Sequence, residues 1–337
     1  MEPRIVIPAP LRVPEEGNAG RLRSAAPFAR RAFLWLAFVA LLGGLIFGLI
    51  HDRLLYQSVW TAQGLRRFLI FAAGYAVFFV AVSSFKARLF PIAAGVLALL
   101  YTLVAVGPVA VLAVAVVLLS SFVVGETILV RGSSIRIRSA PDFVLAMLVG
   151  LSIYMFVISM AAAAPVHYRL AYLAAVAIPL AANRRAVQAL FSSIPRTAPR
   201  LELPRSEWLA AAALIFVLLA HWLVVLQPEV GSDALAVHLM VPGAMESSHR
   251  WSFDVTQHLW AVMPMGGDWA FTLLYMLGGE AAARLFNLAL LVCLGALLFS
   301  RMRPWLSRGP ALLLVALFAA TPLVQLVTGS LFVENLW

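Results

Sequence analysis

Long apolar runs divide this chain, and they restrict its fold more than any other feature. Nine can be traced: Phe33–Ile50, Phe68–Ser84, Pro91–Val106, Pro108–Val124, Phe143–Ala162, Leu170–Ala182, Trp208–Leu226, Ala281–Ser300 and Pro310–Thr328. A helix of about 18–20 apolar residues matches the roughly 30 Å hydrocarbon core of a bilayer. Lipid offers the backbone no hydrogen-bond partners, so only helices and closed barrels can cross it. These runs are rich in Leu, Ala and Val and do not alternate, which selects helices over barrel strands. The expectation is an all-α integral membrane protein, a polytopic helix bundle of about nine spans. Composition agrees: the 337 residues are 63% hydrophobic and 12% charged, where soluble domains carry about 45–50% and about 25%.

A net charge of +10 would suggest nucleic acid in a soluble protein, but here the positive residues follow membrane topology. With the N-terminus cytoplasmic, nineteen Lys and Arg fall in inner segments and five (Arg53, Arg66, Arg67, Arg169 and Arg250) in outer ones. Arg284 is left at a membrane boundary. The positive-inside rule therefore places the N-terminus in the cytoplasm. Residues 1–32, with Pro3, Pro8, Pro10, Pro14 and six Arg, are too polar near Met1 for a signal peptide. They read as a disordered cytoplasmic tail. The single cysteine, Cys293, lies inside an apolar run, so neither a disulfide within the chain nor a Cys-based metal motif can form.

Three further parts follow the tail. Residues 33–191 form a six-span membrane module, and 192–206 a Pro- and Arg-rich cytoplasmic linker. Residues 207–337 open a second module, whose outer loop 227–280 is the longest on that side. This loop holds Glu229, Asp233, Glu246, Asp254, Asp268 and Glu280, six of the fifteen acids, with His238, His249, His258, Trp251, Trp260 and Trp269. Long loops in compact proteins are commonly functional or disordered, and the tryptophans argue for order. Trp269–Leu277 is apolar but too short to span, so it is expected to lie in the interface or dip partway in. After the ninth span the chain ends on Gly329–Trp337, an apolar ending from which the chain is expected to be the front part of a longer protein.

The stretch Glu229 to Pro242 follows span seven directly, which puts Asp233 at the outer membrane surface. Two readings of Asp233 are open from spacing alone: an N-cap for a helix over Ala234–Met240, or a reactive carboxylate. The pattern Asp233-x-x-x-x-His238-Leu239-x-x-Pro242 resembles the first outer loop of GT-C membrane glycosyltransferases. The bacterial branch that transfers aminoarabinose, mannose and galacturonic acid is the most similar. The aromatic stretch Trp260 to Pro264 and the turn Leu277-Gly278-Gly279 before Ala281 follow in the order of that family. Val237 departs from it, standing where a Tyr is usual. The resemblance covers roughly residues 205–337, so only the C-terminal part is expected to be GT-C-like.

The resemblance implies a reaction. A sugar would pass from a polyprenyl-phosphate donor to a glycan, lipid or protein acceptor at the outer face of the bacterial inner membrane. Asp233 would be the base or acceptor-orienting acid, and Glu334, in the next outer segment, the second acid. The family implies no fixed cofactor; two such acids could hold a divalent cation where a branch uses one. The leaving phosphate calls for positive charge, and Arg250 and Arg284 are the basic residues near the loop. The favoured reading of each is nevertheless an ordinary charge, solvated in the case of Arg250 and snorkelling in the case of Arg284. His238 could meet the donor phosphate or anchor its helix. At 100° per residue it lies about 140° from Asp233 around an α-helix, so a direct pair is not expected. The tryptophans suit an interfacial belt or sugar stacking.

No phosphate-binding Gly-rich loop, Gly-x-Ser-x-Gly elbow or His-Glu-x-x-His metal motif is present. The competing class is a non-enzymatic polytopic protein, either a transporter or a lipid-handling or assembly subunit.

Overall fold

A computed structural model describes residues 62–133, 137, 139–188, 190, 204–254, 256 and 265–332, with isolated positions between 36 and 51. All secondary structure among the described residues is helical, and no strand occurs among them. The helices are α1 (Ala62–Lys86), α2 (Phe90–Ala105), α3 (Pro108–Ser133), α4 (Ala140–Ala161), α5 (Arg169–Ala182) and α6 (Arg205–Val225). After a π-helical turn (Ala234–His238) come α7 (Met240–Ser248), α8 (Gly266–Met302), α9 (Arg308–Ala319) and α10 (Pro322–Gly329). Five helices are long and apolar enough to cross a membrane, or six if α9 and α10 are one broken span; α2 and α5 are apolar but shorter. The chain is an all-α membrane protein.

The chain divides into two compact units, Met1–Gly74 and Tyr75–Trp337, the boundary falling within α1. In the first, Phe47 stacks on His51 with ring centroids 5.2 Å apart, and residues 62–70 are exposed along the start of α1. The N-terminal tail, most of the first apolar run and most of the 192–206 linker lie outside the described residues. The other eight apolar runs are all helical.

The second unit is built on a close crossing of α3 and α4. A Cβ on Gly150 would lie 1.8 Å from the Ser121 carbonyl oxygen, and one on Gly125 would lie 1.7 Å from that of Ala146. Ser121 and Gly125 on α3, and Ala146 and Gly150 on α4, repeat at four-residue spacing. This small-residue pattern lets helix backbones touch in lipid, where packing replaces the hydrophobic effect as the driving force. Helix α5 leans on the same pair. Its Pro179 has no N–H, which frees the carbonyl of Ala175, and the Tyr154 hydroxyl donates to that carbonyl at 3.1 Å. The Ser120 hydroxyl donates to the next carbonyl, Val176, at 2.8 Å. Both bonds supply partners that lipid cannot.

Two elements differ in detail from the sequence expectation. Trp269–Leu277 is not a separate short segment but forms the first part of α8, and Phe271, Leu273 and Leu274 are fully buried within the protein. The stretch is held inside because its apolar residues are covered on all sides, with α3 coming closest. A Cβ on Gly278 would lie 2.8 Å from the Ala113 Cβ and 3.1 Å from the Ala110 Cα. Gly279 then breaks the helix with φ 73° and ψ −170°, a conformation essentially restricted to glycine. The second difference is the ninth run, which is bent by 64° between α9 and α10 at Pro322. The Ala319 carbonyl at the break accepts a hydrogen bond from His221 Nε2 at 2.8 Å, and that of Ala320 accepts one from Gln325 Nε2 at 3.2 Å.

Candidate functional site at the loop end of the bundle

Two of the segments that the sequence assigns to the outer face, the α4–α5 connection and the 227–280 loop, are in contact. The Trp251 N–H donates to the Ala162 carbonyl at 2.6 Å, the His167 N–H donates to that of His249 at 3.1 Å, and Arg169 pairs with Glu246. The 227–280 loop is thus packed onto the α4–α5 connection.

At the start of the loop lies a buried ion pair. Arg284 Nη1 donates to Glu229 Oε2 at 2.5 Å, and both side chains are almost fully buried. Arg284 also donates to Val225 O at 3.2 Å, Val224 O at 3.0 Å and Gly329 O at 2.9 Å. Those carbonyls belong to the C-terminal ends of α6 and α10, which lack partners within their own helices. The guanidinium therefore sits where two helix dipoles point their negative ends. One turn further along α8, Asn287 Nδ2 donates to Val327 O at 2.7 Å and Ser330 O at 3.0 Å. The Glu229 carboxylate is equally engaged. Its Oε1 accepts from the N–H groups of Val230 and Gly231, both at 2.9 Å, and Oε2 accepts from that of Leu331 at 3.0 Å.

Asp233 follows four residues later. The chain is already helical there (φ −67°, ψ −47°), and although it occupies the N-cap of the π turn, its side chain makes no cap bond. The capping reading is thereby set aside. The π turn is closed by the Leu239 N–H on the Ala234 carbonyl at 2.8 Å. Such turns are rare and frequent at functional sites. They also change which side chains share a face: Asp233 is exposed while His238 is buried. His238 Nδ1 donates to Asp268 Oδ1 at 2.6 Å, and its ring meets the edges of Phe271 and Phe332 at 6.4 and 5.9 Å.

The structure thus separates the six loop acids. Glu229 is buried in an ion pair with Arg284, Asp268 is buried in a hydrogen bond with His238, Glu246 pairs with Arg169, and Glu280 accepts the Glu229 N–H at 2.6 Å. Asp254 accepts from the Thr256 N–H and hydroxyl at 2.9 and 2.7 Å. Asp233 alone of the six has no hydrogen bond or ion pair among the described residues, and it is solvent-exposed.

The remaining candidates fall out as follows. Arg250 is exposed, with its side chain unpartnered among the described residues. Arg284 is neither snorkelling nor open to a phosphate, because four of its N–H groups are bound within the protein. Glu334, His258 and the Trp260 to Pro264 stretch lie outside the described residues. Trp251 and Trp269 are buried within the protein. Among the described residues, no group of three or more His, Cys, Asp or Glu could hold a metal ion. The residues that sequence reasoning passed over are Glu229, Asp268 and Asn287. The available signal was Arg284 itself: an ionisable residue inside a span demands a buried partner.

Comparison with protein families, curated proteins and solved structures finds no match for this chain.

Proposed function

We propose that this protein is a GT-C-type membrane glycosyltransferase with nine spans and a cytoplasmic N-terminus in a bacterial inner membrane. It moves a sugar from a polyprenyl-phosphate donor to an outer-face acceptor. The observation that carries the reading is the state of Asp233. Of six acids in the loop it is the one left both exposed and, among the described residues, unpartnered, immediately before a π turn. A carboxylate with free lone pairs can take the proton of an acceptor hydroxyl as the new C–O bond forms. The carboxylates of Glu229 and Asp268 are already spent on buried cations or imidazole. Arg250 remains the basic residue available to the leaving phosphate, and Glu334 the second acid.

The test is transfer of radiolabelled sugar from a polyprenyl-phosphate donor in membranes carrying the full-length protein. Asp233→Asn keeps size and shape but removes the base, so transfer should fall by at least roughly 100-fold with unchanged membrane insertion. Wild-type rates in that variant would overturn the assignment.

A further inference from the structure

We infer that Glu229 and Arg284 are positioning residues that hold Asp233 in register with the chain segment following α10; the inference rests on the glycosyl-transfer reading. The carboxylate of Glu229 does two separate jobs. Through Oε1 it binds the N–H groups of Val230 and Gly231, closing the turn that leads to Asp233. Through Oε2 it binds the N–H of Leu331, about a hundred residues away in sequence. Arg284 locks the same junction from the other side, joining the last carbonyls of α6 to Gly329 at the end of α10.

The second connection closes a ring. Leu331 is fully buried, and the ring of the next residue, Phe332, packs edge-on against His238, at the far end of the π turn that begins after Asp233. His238 is itself fixed by Asp268. Asp233 is therefore carried on a short arch with both feet tied down, one at Glu229 and one at His238, and residues 330–332 touch both feet. The fit leaves little slack, since a Cβ on Gly231 would lie 3.1 Å from Glu229 Oε1 and 3.2 Å from Ser330 Oγ. Burying an ion pair is a poor way to gain stability, because desolvation offsets most of the attraction; fixing one geometry among several is its better-attested use. Neither residue is free to touch substrate, so both act through the backbone they bind.

The experiment combines residue-resolved amide hydrogen exchange with transfer kinetics on the full-length protein. Two variants are compared with wild type: Glu229→Gln, and Glu229→Met combined with Arg284→Met. The double variant removes both charges at similar volume, which keeps the bundle folded even where a single unpaired charge would not. In the double variant the amides of Val230, Gly231 and Leu331 should exchange together, roughly tenfold faster or more, while those around Gly150 stay protected. The kcat should fall at least tenfold with KM for the donor within about twofold, a split that general destabilisation would not give. Faster exchange at Val230 and Gly231 with Leu331 still protected would overturn the inference, as would an unchanged kcat. Absence of transfer in the wild-type protein would count against the glycosyltransferase reading alone; the three amides would still decide whether one ion pair couples the two segments.

Discussion

Replacing Gly150 with alanine should loosen the whole helical core, and the size of the effect can be worked from the α3–α4 crossing. The added Cβ would lie 1.8 Å from the Ser121 carbonyl oxygen, 2.6 Å from its carbon and 2.9 Å from the Gly125 nitrogen. Ordinary contact begins near 3.4 Å, so the two backbones must separate by roughly 1.5 Å. None of the obstructing atoms belongs to a side chain that could rotate away. A gap of 0.5–1 Å already forfeits about a quarter to a half of a dispersion contact, and side chains flanking the crossing, such as Val117, Leu151 and Tyr154, would all feel it. Overpacking a core commonly costs about 1–3 kcal/mol; a backbone obstacle puts Gly150→Ala at or above the top of that range, about 3 kcal/mol. Gly95→Ala in α2 is the control, because a Cβ there meets nothing within 4 Å and should be neutral or stabilising by up to about 1 kcal/mol. Reversible unfolding in mixed micelles, followed by tryptophan fluorescence, would measure both. If Gly150→Ala stays within about 0.5 kcal/mol of wild type, or Gly95→Ala is equally damaging, the crossing geometry is refuted.

Gly279→Ala should cost about 1–3 kcal/mol, since its backbone conformation excludes a Cβ; the same unfolding assay would detect it, although a Cβ there meets no neighbouring atom. Asp268→Leu alone should destabilise by about 1–3 kcal/mol by leaving the buried His238 without its acceptor, whereas joint replacement of both by apolar residues should recover most of the loss. Orientation is testable by labelling. On a Cys293→Ala background, a cysteine at the exposed Ser232 should react with a membrane-impermeant maleimide added to intact cells, and one at the exposed Ser307 should not. The reverse pattern would refute a cytoplasmic N-terminus.

Secondary structure was written plainly in the chain, because the bilayer makes hydropathy nearly sufficient for locating helices. The apolar runs from Phe68 onward correspond to helices, and the positive-inside count remains the ground on which each loop is expected on a given side. What escaped were positions where tertiary contacts reverse the local signal. Trp269–Leu277 is apolar enough for either an interface or a core, and its burial comes from packing in one cluster with residues far away in sequence, Ala110 and Ala113 among them. The bend at Pro322 had a local sign in the proline itself, but its stability depends on His221, nearly a hundred residues earlier.

The sequence by itself therefore determined that this chain crosses a membrane as helices, and it marked Asp233 within a long acidic loop. Which acids in that loop remain open to chemistry was decided only by the tertiary structure. A carboxylate loses its availability when a particular cation or N–H comes within reach. For Glu229 that partner is Arg284, 55 residues away, and for Asp268 it is His238, 30 residues away. Neither composition nor periodicity encodes such distances. Asp233 stands apart because the fold brings no described partner to it.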